Sequence, residues 1–495
     1  MTENDKRAVA SAEKDLAGGG PSLRPPELAQ PPLTQASPQV HAPLDSLALE
    51  EAYVRAFREL DGDMPSRLAG DEYLLTTNGL YHGGPLAWSF VPKIFSVRDT
   101  SYLAWIAETM GRIMDKLTRR YLEDASLRAL FRFDPVLEAA TTSPVPYEQL
   151  IPIARVDIFL DERTGDFKFC ELNTDGSSGM LSTQEVTRAA AMSATARRFS
   201  RGRALYAYDT VGACADTVLA CYRETPGAKE RPAIAAVDYK ESIAAEEMDE
   251  FTGAFAERGC DFRVADVREL TYENGVLADS QGPIDCVWRR VVISELLDKA
   301  CPGADALMRA ATEGRVPLVG AMRTWPTATK TVFAVLHSPV AKEFLDADEL
   351  EFVRRHVPAT YLVDEKSDMA RFRDREAWIA KPRDGYNSMG VTAGADCSDE
   401  EWERVLDEVR RVGGVVQEYV RPFATENLPG GAAGADADLA PYMNMEGLFL
   451  FNGAFAGVFT RCGTNAVIGE FTGRLNMPIL VVDDADVEAL AAGGE

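Results

Sequence analysis

The chain has 495 residues, too many for one ordinary core, which points to two or three domains. Hydrophobic residues make up 46% of it, yet no uninterrupted apolar run reaches roughly 18 residues, so no membrane span is expected. A net charge of −26 speaks against a general nucleic-acid binder, because phosphate contacts need clustered Lys and Arg.

Residues 1–45 are rich in Pro, Ala and Gly ("GGGPSLRPPELAQPPLTQASPQ") and read as a disordered tail. The first twenty residues are charged and lack a signal-peptide core, so a cytoplasmic protein is expected. The eight cysteines include no Cys-x-x-Cys pair and read as reduced thiols. Residues 46–204 read as a mainly helical N-terminal region that closes with a hairpin; "SYLAWIAETMGRIMDKLTRRYLED" has apolar residues at helical spacing. Over 205–325, helix-like and strand-like stretches alternate ("RPAIAAVD", "DFRVAD", "IDCVWRR", "RVPLVG"), the pattern of a βαβ domain with a parallel sheet. Residues 326–485 begin helical and continue as strands around one helix, an α+β domain. Within it, "LPGGAAGADADLAP" reads as a flexible loop.

Histidine is scarce: His41, His82, His337 and His356 are the only four, and no two lie at metal-ligand spacing. A His-based zinc site or a Ser-His-Asp triad is therefore not expected.

The polar ends of the hairpin carry the first chemical signal. In "ARVDIFL", Arg155 and Asp157 share a strand face; in "FKFCELN", Phe167, Phe169, Glu171 and Asn173 share one. A three-residue loop, Arg163-Thr164-Gly165, predicts a register with Asp157 opposite Glu171 and Arg155 opposite Asn173. Opposed carboxylates repel unless something cationic lies between them. Asp, Glu and Asn together form an oxygen set suited to Mg²⁺, and Arg155 could hold a phosphate oxygen. The alternative is a solvated polar hairpin end. After the strand, "TDGSSG" turns the chain; either Ser177 and Ser178 face a substrate, or this is a plain Gly/Ser loop.

Farther on, Lys330 lies near the start of an amphipathic helix and Lys381 ends the strand "AWIAK". Each is either a functional cation or, for Lys381, edge protection. Gly385 to Gly390 has Gly-x4-Gly spacing with Asn387 and Ser388 inside it, but lacks the Lys-Ser/Thr of a P-loop. The strand "VVQEYV" could offer its backbone to a purine edge.

The order of these parts resembles the ATP-grasp ligases of circularly permuted connectivity, the group that includes the synthetase part of glutathionylspermidine synthase. The resemblance spans roughly residues 150–482 and rests on "RVD" at 155–157 and "ELN" at 171–173. It implies a mixed α/β and α+β fold with ATP-grasp architecture, a pre-ATP-grasp-like βαβ domain and a helical N-terminal region. It implies ATP and Mg²⁺, with Asp157, Glu171 and Asn173 as metal ligands. Arg155 and Arg461 would contact phosphate. Lys330 and Lys381 would bind ATP phosphates beside the loop of Gly385, Asn387, Ser388 and Gly390. Gln417, Glu418, Tyr419 and Val420 would form the adenine hinge. Arg289 and Arg290 correspond to an Arg pair of the family; they either bind a substrate carboxylate or act as structural ion-pair donors.

The expected chemistry is carboxylate–amine ligation: ATP phosphorylates a small-molecule or peptide carboxylate, and an amine attacks the acyl phosphate to give an amide. No histidine base is needed. A non-catalytic nucleotide-binding scaffold on the same fold, or a phosphotransferase, are the other readings of the sequence.

Overall fold

The structure, a computed structural model, describes residues 25–32, 35–81, 83–385, 390–469 and 472–492. Ser96 opens the long helix Val97–Glu123 with a capping box: its hydroxyl accepts from Asp99 N–H while Asp99 accepts from Ser96 N–H. Leu103, Ile106, Met110, Ile113 and Leu117 recur at three- and four-residue spacing and are fully buried. They pack with Val156, Ile158, Leu160, Phe167, Phe169 and Leu172 of the hairpin in one core. The helix therefore covers one face of the hairpin and leaves the other for chemistry.

That hairpin, Ile153–Asp161 and Asp166–Asn173, is part of a six-stranded antiparallel sheet rather than of the helical region before it. Strand Ile153–Asp161 pairs with Ala440–Phe451, which pairs with Ala454–Gly463, which pairs with Leu475–Met477; Ala424–Asn427 flanks Ala440–Phe451. A smaller antiparallel sheet runs in the order Thr360–Val363, Gly414–Glu418, Trp378–Lys381, Thr392–Ala393. The alternating region forms a parallel sheet ordered Leu318–Val319, Cys286–Arg289, Ala233–Asp238, Asp261–Asp266.

A buried ionic knot ties the first elements to the large sheet. Lys93 lies 3.0 Å from Glu50 and 2.9 Å from Glu162, and its side chain is 0% exposed. Glu446 is buried beside them, on the sheet face opposite Gly447 and the site. Desolvation pushes both Glu50 and Glu446 up to about 8, against the attraction of Lys93.

Two expectations change. The described part of the segment read as a disordered tail is pinned: Ser37 N–H donates to Ser101 O (3.0 Å), Ala29 O accepts from Ala207 N–H (3.0 Å), and Leu44 N–H donates to Glu162 O (2.7 Å). Residues 1–24 lie outside the described residues. The stretch read as a flexible loop is also held: Asp71 accepts from Ala432 N–H at 2.8 Å, and Arg67 donates to Pro429 O at 3.2 Å. No described helix is long and apolar enough to cross a membrane.

Candidate functional site

The hairpin pairs Arg155 with Asn173 and Asp157 with Glu171. It reaches that register by two offsets that cancel. The loop has four residues, Glu162–Gly165, because Asp161 pairs with Asp166; Gly165 takes a φ of 75°. A bulge between Asp157/Ile158 on one strand and Phe169/Glu171 on the other then absorbs one residue, Cys170. The bulge also corrects the expected face assignment. Phe167, Phe169 and Leu172 point into the helix-packed core, while Glu171 and Asn173 point the opposite way. Had Cys170 kept a regular place in the ladder, simple alternation would have put the two phenylalanines on the polar face.

Arg155 and Asp157 lie on that polar face, and neither is solvated. Arg155 Nε donates to Asp157 Oδ1 at 2.7 Å and Nη2 to Oδ2 at 3.0 Å, a bidentate pair. Arg155 Nη1 donates to Ser178 O at 2.7 Å. Arg461, from strand Ala454–Gly463, donates to Asp157 Oδ2. Both guanidinium groups stand over the Phe459 ring, 5.1 and 5.4 Å from its centre, with Arg474 at 5.9 Å. Burial lowers the Arg461 pKa to about 10; Asp157 opposes the shift, and Arg155 and Arg474 add to it.

Lys330 follows the short helix Trp325–Ala328 and opens Thr331–Leu336, and its Nζ lies 3.2 Å from Glu171 Oε2. Its backbone N–H donates to Arg383 O at 2.8 Å, which ties it to the chain just beyond Lys381. Burial pushes the Glu171 carboxyl upward, but Lys330, Arg461, Arg155 and Lys381 together outweigh that and hold it well below the usual carboxylate range. Asn173 Nδ2 lies 3.4 Å from Glu171 Oε1.

Lys381 is not edge protection. Its strand has a neighbour on each side, and the side chain is buried. Nζ donates to Gln417 Oε1 at 2.7 Å and to Cys170 O at 3.3 Å, the carbonyl that the bulge frees from the ladder. Burial lowers its pKa, as does Lys330, while Cys170 and Glu171 oppose them. In the adjoining segment, Glu418 N–H donates to Ala359 O and Tyr419 N–H to Ala377 O, both at 2.8 Å. Among the described residues, Val420 N–H meets no protein acceptor.

Two cavities meet here. A polar one of about 610 Å³ is lined by Arg155, Glu171, Asn173, Ser177, Ser178, Lys330, Gly385, Arg461 and the C-terminal end of the parallel sheet at Asp238. A narrow, mainly apolar slot is lined by Phe169, Ile379, Met445, Ile468, Lys381 and Gln417 to Val420. Glu171 and Lys330 border both.

Arg289 and Arg290 are engaged within the protein. Arg289 pairs with Asp175 and donates to Gly320 O and Val291 O. Arg290 pairs with Glu247 at 3.1 Å and donates to Ser177 O. Both arginines make ion pairs within the protein, Arg290 also lines the polar cavity, and with Arg155 they bolt the turn 174–179 to both sheets. Gly176 is required there: at φ 61° its missing Cβ would lie 2.6 Å from Arg290 O. Ser177 Oγ, buried, has no partner among the described residues. Gly385 lines the polar cavity and Gly390 is exposed; Asn387 and Ser388 lie outside the described residues.

Three groups at the site escaped sequence reasoning. Asp384 and Arg474 line the polar cavity. Asp384 could have been noticed as an acid three residues after Lys381, and Arg474 as a second arginine beyond Arg461. The Cys170 carbonyl had no signal, because the bulge depends on the loop length.

Tested against the chemistry of a divalent cation, Glu171, Asn173 and Asp384 are oxygen-bearing residues that line the polar cavity. Asp157 does not fit: both its oxygens receive guanidinium N–H groups, and it is 0% exposed.

No protein-family model matches the chain, and no curated protein matches it. Among solved structures, its mixed α/β architecture is similar to a glutathione synthetase-like effector from Globodera pallida in its apo form, with 12% identity over 90% of this chain and 100% of that one, at a TM-score of 0.53. At that identity the likeness is one of fold alone. Weaker similarities carry no argument: a protein described as a gamma-glutamylcysteine synthetase from Methylobacillus flagellatus KT (12% identity, 75% and 86% of the two chains, TM-score 0.39) and D-cycloserine synthetase DcsG (12%, 53% and 98%, 0.27).

Proposed function

We propose that the chain is an ATP-dependent carboxylate–amine ligase of the ATP-grasp type with permuted connectivity, working through an acyl phosphate. One observation carries this reading: an apolar slot opens onto a polar cavity across a shared threshold of Glu171 and Lys330. The slot suits a purine, with Gln417 to Val420 along its edge and Val420 N–H available to a ring nitrogen. The threshold suits a triphosphate, and the cavity suits an acid and an amine. At about 60 Å³ the slot is narrower than a purine, so base entry requires the two antiparallel sheets to separate.

Lys330, Lys381 and Arg461 supply fixed positive charge around the transferred phosphoryl group; one such donor in a dry site is typically worth about 3 kcal/mol. Magnesium, when bound, would neutralise charge on the phosphate oxygens. Glu171, Asn173 and Asp384 would hold it. The turn 174–179, clamped by Arg155, Arg289 and Arg290, would orient the acyl group. Exclusion of water from the cavity on ligand binding would protect the acyl phosphate until the amine arrives.

The experiment is ADP release across a panel of amino acids, peptides and amines, with product mass. An amide whose appearance tracks ADP supports the ligase. ATP binding without turnover across the panel supports a silent scaffold, and a stable phosphorylated product supports a phosphotransferase.

A further inference from the structure

We infer that Asp157 is a positioning residue that fixes Arg155 and Arg461 side by side, and not a ligand of the metal; this rests on the ligase reading above. Two guanidinium groups set against the Phe459 ring and sharing one carboxylate repel each other. Asp157 is the anion between them. Arg155 takes Oδ1 and Oδ2 at 2.7 and 3.0 Å, and Arg461 takes Oδ2. The carboxylate is 0% exposed, so each oxygen is spent inside the protein. Glu171 and Asn173, on the neighbouring strand, open onto the cavity instead.

An independent feature shows that the packing is built around this pair. Gly447 lies opposite Asp157 in the middle of strand Ala440–Phe451, where glycine weakens a sheet. A Cβ there would lie 2.7 Å from Arg155 Cδ, 2.8 Å from its Nε and 2.9 Å from Asp157 Oδ1. The glycine thus leaves room for the bidentate pair and for nothing larger. Arg155 spends its remaining arm on Ser178 O, so its work is to carry Asp157's position into the turn. Arg461 keeps an arm for the anion in the cavity.

The test separates metal from arginine. Mn²⁺ binding would be followed by electron paramagnetic resonance in the presence of a non-hydrolysable ATP analogue, alongside ADP release. Asp157→Asn is expected to change the Mn²⁺ dissociation constant less than about threefold and to lower turnover tenfold or more. Glu171→Gln is expected to weaken Mn²⁺ tenfold or more. Gly447→Ala removes no oxygen and should reproduce the Asp157→Asn pattern, and it decides the matter if Asp157→Asn does not fold. The inference is overturned if Asp157→Asn weakens Mn²⁺ as much as Glu171→Gln, or if Gly447→Ala leaves turnover unchanged. A wild type that takes up neither Mn²⁺ nor the analogue removes the ligase reading, and this inference with it.

Discussion

Glu171 Oε2 and Lys330 Nζ lie 3.2 Å apart, although 159 residues separate them in the chain. The pair forms the boundary between slot and cavity. Each charge is compensated by the other until ligands arrive, so the threshold is assembled without a bound ion. Glu171→Gln should therefore fold and lose function. We expect ADP release to fall about a hundredfold, with thermal unfolding within a few degrees of wild type. Lys330→Met should do the same through nucleotide affinity. A Glu171→Gln protein that turns over normally would remove Glu171 from the chemistry.

Lys381 is a buried cation that lines the slot, held between Gln417 Oε1 and Cys170 O. Lys381→Met should weaken binding of a fluorescent ATP analogue by about a hundredfold, matching the roughly 3 kcal/mol of one preorganised donor. Lys381→Arg should not rescue it, since a planar guanidinium does not fit the space of an ammonium boxed by two acceptors. Equal affinity in wild type and Lys381→Met would contradict the assignment.

Cys170 contributes its carbonyl rather than its thiol. Cys170→Ser should keep nucleotide affinity within threefold, because the acceptor is main chain. Deleting Cys170 is a different matter. Deletion would remove the bulge but keep the pairs Asp157–Glu171 and Ile158–Phe169, and simple alternation would then hold Phe169 and Glu171 on opposite faces. The deletion should therefore fold, seen by circular dichroism, and weaken nucleotide binding tenfold or more, because Lys381 loses the Cys170 carbonyl; unchanged affinity would refute the role given to that carbonyl.

The ionic knot at Lys93 predicts a pH dependence of stability. Glu50 and Glu446 have folded pKa values near 8, above the ordinary 4.5. A group raised in this way contributes fully below its unfolded value and loses that contribution as pH rises through the folded one. Stability from this cluster should thus decline between about pH 4.5 and 8. Glu446→Gln, which mimics the protonated form, should raise Tm at pH 8.5 and have little effect at pH 5. A lower Tm at pH 8.5 would show that ionised Glu446 is needed to hold Lys93.

Much of the site was legible because it depends on alternation and order. The pairing of Asp157 with Glu171 and of Arg155 with Asn173 was read correctly, but through an expected three-residue loop that has four residues, an offset that the bulge at Cys170 cancels. The parallel sheet followed from alternating patterns, and the meeting of the hairpin with Lys330 and Lys381 from the order of motifs. What was not legible required three dimensions. The bulge at Cys170 sends Phe169 and Glu171 to opposite faces, where simple alternation put them together. No local signal says that Arg461, 304 residues away, will take one of the Asp157 oxygens. The Gly- and Ala-rich stretch near Pro429 looked flexible, since its anchors Asp71 and Arg67 are remote in sequence.

The central claim is that this site activates a carboxylate with ATP. The most direct measurement supplies ATP, magnesium, a panel of amino acids and short peptides, and hydroxylamine as a small nucleophile, and detects the hydroxamate together with ADP. The wild type should form hydroxamate with at least one acid, in step with ADP, and Lys381→Met should form neither. A wild type that binds ATP yet yields no hydroxamate and no ADP above the Lys381→Met background with any acid would contradict it.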